Sequence, residues 1–253
     1  MHSLAIAAVV FACLYGGALL GVSLRALLPE AHLSSESKDT VKLAMGLVAT
    51  MAALVLGLLT ASAKSTFDTQ NSEVQQTAAQ IILLDRTLAQ YGPETGDIRT
   101  LLHRLVAFRL AATWPEDGSH AKALSGAETT PSVEAIENGI RALTPQSDAQ
   151  RAQQARALGI CATLIETRWL MFAQANNSLP VPFLVVLIFW LALLFASFGV
   201  YAPRNATVLS ALLLCALAVS GSTFLILEMS QPLDGVIKIS GAPLRYALSQ
   251  LGQ

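Results

Sequence analysis

Four long apolar runs divide the chain, at 4–24, 41–63, 183–201 and 206–227. Each is about twenty residues long, enough to cross a hydrocarbon core of ~30 Å as a helix. No charge falls between Lys42 and Lys64. Within this second run Gly46, Thr50, Ala53, Gly57 and Thr60 recur at steps of four and three, so one helical face carries only small and hydroxyl side chains. Such a stripe serves close helix packing or lines a polar path, and the two uses are compatible. In the first run Gly17 and Gly21 form a G-x-x-x-G pair, which predicts a tight helix crossing. No basic n-region or cleavage site accompanies that run, so a cleaved leader is not expected.

Beyond Ala63 the pattern turns polar but keeps its helical period. Val74, Thr77, Ala78, Ile81, Leu84, Leu88 and Tyr91 share a face, so the second helix is predicted to continue until Gly92-Pro93 stops it. Ser37 or Asp39 is expected to cap its start, and Asp97 to cap the next helix. That next helix turns Ile98, Leu101, Leu102, Leu105 and Phe108 inward and ends at Trp114-Pro115. Thr130-Pro131 and Thr144-Pro145 each place a capping hydroxyl before a proline suited to the first helical position. The first opens a short helix with Ile136, Ile140 and Leu143 inward. The second opens a long one with Ala149, Ala152, Ala155, Leu158, Ala162, Ile165 and Trp169 inward.

The predicted fold class is an all-α membrane protein with four transmembrane helices and a helical domain inserted between the second and third. Residues 1–63 form the first transmembrane pair, 64–178 the helical domain, 179–228 the second pair and 229–253 an amphipathic tail. Composition agrees: 53% of residues are apolar and 13% charged, against about 25% charged in soluble domains. Residues 64–178 hold ten Lys/Arg and twelve Asp/Glu, the balance of a solvated bundle. A net charge of −1 suggests no nucleic-acid partner. Basic residues near the spans are also balanced, Arg25, Lys38, Lys42 and Arg204 against Lys64, Arg168, Lys238 and Arg245, so charge sets no orientation.

Candidate chemistry is sparse. Cys13, Cys161 and Cys215 have no metal spacing, and His2, His32, His103 and His120 are scattered. There is no phosphate-binding glycine loop, nucleophile elbow or H-E-x-x-H motif, so neither an enzyme nor a cofactor or metal is expected. Glu228 directly follows the fourth run, where a carboxylate ends a helix in headgroup water or serves an ion or a gate. Asp85 and Arg86 interrupt an apolar stretch, which fits either an inter-helix ion pair or a solvated face. Met51, Leu54 and Leu58 are candidates for an apolar constriction, on faces other than the small stripe. One four-helix bundle has no room for a lumen, so a pore needs several copies around an axis.

Three stretches carry a resemblance: LPEAHLSSESKDTVKLAMGLVATMAALVLGLLTASAKSTFD from Leu28, IILLDRTLAQYGPET from Ile81, and LILEMSQPLDGVIKISGAPLRYAL from Leu225. With the spacing of the spans, they resemble the bacterial bestrophin-like domain family over nearly the whole chain. Bestrophins are pentameric, mostly anion-selective channels whose second helix lines the pore. The resemblance implies a bestrophin-like homo-oligomer, a pentamer, embedded in the lipid bilayer of a bacterial inner membrane. It also implies that the termini and the 64–178 domain are cytoplasmic. The chain departs from bestrophins in two places. Its second span shows a small-residue face where they carry a bulky apolar neck, and its tail lacks an acidic calcium clasp. Two functions follow as expectations: a passive ion (anion) channel lined by Thr50, Ala53, Gly57 and Thr60, or a non-conducting scaffold or sensor whose helical domain binds a protein partner of unknown identity.

Overall fold

The computed structural model describes residues 2–27, 35–114, 132–175, 181–203, 205–230 and 236–252. Among them every regular element is helical and no strand occurs. In chain order the helices are α1 (His2–Leu24), α2 (Ser35–Tyr91), α3 (Gly96–Thr113), α4 (Val133–Arg141), α5 (Asp148–Ala175), α6 (Val181–Tyr201), α7 (Ala206–Met229) and α8 (Ala242–Gln250). Four are long and apolar enough to cross a membrane, over Ser3–Leu24, Lys38–Tyr91, Pro182–Tyr201 and Ala206–Met229. The chain is a multi-pass membrane protein. It divides into two compact units, Met1–Phe67 with Ser178–Lys238, and Asp68–Asn177 with Ile239–Gln253.

In the first unit the tightest packing is α1 against α6. A Cβ at Gly21 would overlap the carbonyl oxygen of Ala196, and one at Gly199 would overlap that of Ala18. At Gly17 it would lie 3.2 Å from the Ala192 oxygen. The G-x-x-x-G pair therefore meets a complementary row on α6, and only hydrogen fits between the backbones. Around this crossing Val10, Leu14 and Ala18 of α1 pack with Phe195 of α6 and Leu212 and Ala216 of α7. A second cluster joins Ala52, Leu59 and Ala63 of α2 to Leu187 of α6 and Ile226 of α7. At the start of α7, the Asn205 side chain accepts from the Val208 N–H at 2.8 Å, a direct N-cap.

The second unit is built on the face of α2 that the periodicity picks out: Val74, Ala78, Ile81, Leu84, Leu88 and Tyr91 are buried. Gly92 ends α2 at φ 141, a conformation that excludes most other residues. The buried Thr95 hydroxyl then donates to the Leu88 and Gly92 carbonyls at 2.7 and 2.9 Å. Thr95 thus stands at the N-cap of α3, and Asp97 lies in its first turn instead of capping it. Ser37 and Asp39 fall inside α2, which begins at Ser35. Thr130-Pro131, His32, His120 and Arg204 lie outside the described residues. Ser132 caps α4, whose Ile136 and Ile140 are buried.

Helix α5 departs most from expectation. It begins at Asp148, not at Pro145. The Ser147 hydroxyl accepts from the Gln150 N–H at 3.2 Å, and Gln150 Oε1 accepts from the Gln146 N–H at 2.7 Å. This is a Ser-x-x-Gln start. Its inner face is Ala157, Ile160, Cys161 and Leu164; of the expected stripe, Leu158 packs partly buried against the core and Ile165 is half-buried, while Ala149, Ala152, Ala155, Ala162 and Trp169 are exposed. The expected stripe rested on alanines, each of which buries too little apolar area to set a helix's rotation. Burial pushes the Cys161 thiol up to about 11, with the Glu137 carboxylate adding to the shift.

Gly21→Ala is expected to lower stability by about 1–3 kcal/mol through overpacking. Gly16→Ala should cost nothing, because no atom lies within 4 Å of a Cβ there; thermal unfolding in a mild detergent compares the two. In a Cys13→Ser/Cys215→Ser background, Cys161 should resist maleimide at pH 7.5 until the second unit unfolds, because its thiol stays neutral and buried. Rapid labelling of the native protein would contradict that placement.

Candidate functional site

The stripe on α2 faces away from the chain's own core. Helix α2 turns Ala52, Leu59 and Ala63 inward, whereas Gly46, Thr50, Ala53, Gly57 and Thr60 are exposed. A Cβ at Gly46 or Gly57 would meet no atom within 4 Å. Among the described residues these glycines serve no close packing, unlike Gly21 and Gly199. Thr50 and Thr60 each donate to the carbonyl one turn earlier, at 2.9 and 2.8 Å on Gly46 and Leu56. Both hydroxyls are exposed and can rotate to another partner. Met51, Leu54 and Leu58 are exposed beside the stripe.

Glu228 is buried, 2% exposed, and not solvated at a helix end. Oε1 accepts from the Ser3 hydroxyl at the start of α1. Oε2 accepts from the backbone N–H of Val236 and, at 3.3 Å, from that of Ile237. One carboxylate thus joins the start of α1, the end of α7 and the segment leading to α8. Both oxygens are engaged by donors of the chain itself. Among the described residues, no group of three or more His, Cys, Asp or Glu side chains could hold a metal.

Asp85 is 1% exposed and pairs with Arg99 of α3. Arg99 Nε donates to Oδ1 at 2.7 Å and Nη2 to Oδ2 at 3.0 Å, a two-point clasp. The hydrogen bond to Asp85 holds the guanidinium above its already high range. The Gly252 N–H also donates to Oδ2, at 3.4 Å. Arg86, the neighbouring candidate, is half-buried and takes no part in this clasp. Asp85 stands seven residues before Gly92 and Arg99 seven after it. Folding the two helices back on each other about that glycine was the available signal for Arg99. Nothing in the sequence marks Ser3 as the partner of Glu228, 225 positions away.

A cleft of about 400 Å³ opens between α2 and α6, walled by Lys42, Met45, Gly46 and Ala49 on one side and Phe198 and Tyr201 on the other. It lies toward the start of α2, beyond the positions where the two helices touch. Gly46 therefore borders this cleft, while Thr50, Ala53, Gly57 and Thr60 continue along the outward face.

A sequence model of the Bestrophin-like domain matches residues 12–244. No curated protein and no solved structure matches the chain.

Asp85→Ala should cost about 1.5–3 kcal/mol, the range for a hydrogen bond to a charged group. Arg99→Ala should cost a similar amount, and the double variant less than the sum of the two. Additive losses in chemical unfolding would show that the clasp adds no coupling. Glu228→Ala strands a hydroxyl and two backbone N–H groups and should cost about 1–3 kcal/mol in thermal unfolding.

Proposed function

The chain belongs to the bestrophin-like family, and from that premise we propose that it is an oligomeric ion channel with α2 lining the path. The observation that carries this reading is the outward face of α2. Thr50, Ala53, Gly57 and Thr60 are exposed in the single chain while the opposite side of the same helix packs inward. A ring of copies, five by family likeness, would turn these faces toward a common axis. Each copy would contribute small side chains, which leave room, and threonine hydroxyls, which can turn their protons from the carbonyl one turn earlier to a passing anion. Met51, Leu54 and Leu58, exposed beside the stripe, would supply the apolar positions at which such a path narrows. Conduction would be passive, with no cofactor and no chemical step. The likeness to bestrophins further suggests anions as the permeant species, an inner-membrane location, and a cytoplasmic side that holds the termini and residues 64–178.

Gly57→Leu tests this directly. A Cβ there meets nothing within 4 Å among the described residues, so the protomer should fold. Chloride flux into vesicles carrying the full-length variant should fall at least about tenfold, following the entry of four heavy atoms per copy into a narrow path. The oligomer mass should stay unchanged. Undiminished flux, or a wild-type protein that is monomeric in native nanodiscs, would overturn the proposal. No wild-type flux together with a partner protein retained through residues 64–178 would replace it with the scaffold reading.

A further inference from the structure

We propose that the cleft between α2 and α6 binds one anionic phospholipid, with its phosphate on Lys42 and Arg25 and one acyl chain against Met45, Ala49 and Phe198. Further along α2, and toward the start of α6, the two helices share the cluster of Ala52, Leu59, Ala63 and Leu187. Toward Lys42 and Tyr201 a cleft of about 400 Å³ lies between them. Wall atoms facing an empty space lose their dispersion partners. Water is a poor filler beside Met45, Ala49 and Phe198, because a bound water needs two to four polar partners and these side chains offer none. Hydrocarbon is the filler whose chemistry matches. Gly46 lines the cleft, and a Cβ there touches nothing within 4 Å among the described residues, so a larger side chain at this position would take up space at the cleft's edge.

The rim decides which lipid. Lys42 lines the cleft one turn before Gly46, and Asp39 engages one of its three ammonium protons at 3.4 Å. The Arg25 guanidinium is anchored on the carbonyl of Ala202, a residue that itself lines the cleft. Only part of its five-donor fork is used by that carbonyl, and the rest can take a phosphate on two points. Two cations beside an apolar slot, with Tyr201 at the level where α6 ends, match a headgroup that carries net negative charge. The inference needs α2 and α6 to span the bilayer, and it holds whether or not the protein conducts.

The test uses the full-length protein, delipidated in mild detergent and titrated with phosphatidylglycerol or phosphatidylcholine, with bound lipid counted by native mass spectrometry. Wild type should hold about one phosphatidylglycerol per chain, with a preference over phosphatidylcholine of about tenfold or more from two rim cations. Lys42→Gln with Arg25→Gln should abolish the preference. Gly46→Leu, which changes no charge, should abolish retention of both lipids while helix content and oligomer mass stay unchanged. Undiminished retention in Gly46→Leu, equal affinity for the two lipids in wild type, or competition by glycerophosphate as strong as by whole lipid would each overturn the proposal. A drop in oligomer mass for Gly46→Leu with lipid retention intact would also overturn it, and would assign the cleft to a second copy of the chain.

Discussion

In a hydrocarbon core every backbone N–H and C=O must find its partner within the helix, because neither water nor lipid supplies one. Helices can then associate only through their side-chain faces, and lipid tails compete with those faces for dispersion contacts. The α1–α6 crossing answers this constraint by removing side chains altogether. Gly21 and Gly199 let the carbonyls of Ala196 and Ala18 approach to where a Cβ would stand, and Gly17 leaves that of Ala192 only 3.2 Å from one. The cluster of Val10, Leu14, Phe195, Leu212 and Ala216 depends on that approach, since larger residues at the crossing would lever α1 away from both α6 and α7. Interlocking backbones of this kind fix a crossing more firmly than leucine against leucine, which lipid imitates well.

Burial of charge follows a different logic in each unit but reaches a similar result. Among the described residues, only two charged side chains are buried, Asp85 and Glu228. Both are carboxylates, and each accepts a backbone N–H from the last twenty residues: Glu228 from Val236 and Ile237, and Asp85 from Gly252. Between these points Ile239 accepts from the Trp114 indole at 2.7 Å, and Gly241 lies where a Cβ would press on the same ring at 3.0 Å. The segment after α7 is therefore held by specific polar contacts at several places. A buried carboxylate without such donors would be costly, so each of these acids fixes the segment it touches as much as it is stabilised by it.

What could be read in the sequence follows the strength of each physical signal. Twenty-residue apolar runs have one stable solution in a bilayer, so all four spanning helices were legible. Glycine at 92 with proline at 93, and leucine and isoleucine at helical spacing over 74–91, were equally plain. Helix α5 was misread because alanines at 149, 152, 155 and 162 look apolar yet bury little, while Ile160 and Leu164 set the inner face. Its start was misread because a threonine before Pro145 resembled a cap, although the stronger Ser-x-x-Gln pattern stood three residues later. Partners distant in sequence were not legible: no periodicity links Ser3 to Glu228. The environment of the α2 stripe was likewise hidden, since spacing shows that residues share a face but not what the face meets.

That stripe gains meaning from comparing two kinds of glycine in one unit. A glycine inside a helix costs about 1 kcal/mol relative to alanine. At positions 21 and 199 the cost is offset within the chain, because alanine would collide with a backbone oxygen. At positions 46 and 57 nothing among the described residues offsets it: no atom of theirs lies within 4 Å of a Cβ at either. The two positions also differ from each other. Gly46 opens onto a walled cleft with cations at its mouth, whereas Gly57 opens onto the free side of α2 between Ala53 and Thr60. One small-residue row thus divides into a part that borders a cleft and a part that borders open space. The proposals for lipid and for ions rest on different glycines of the same helix, so each can fail without the other.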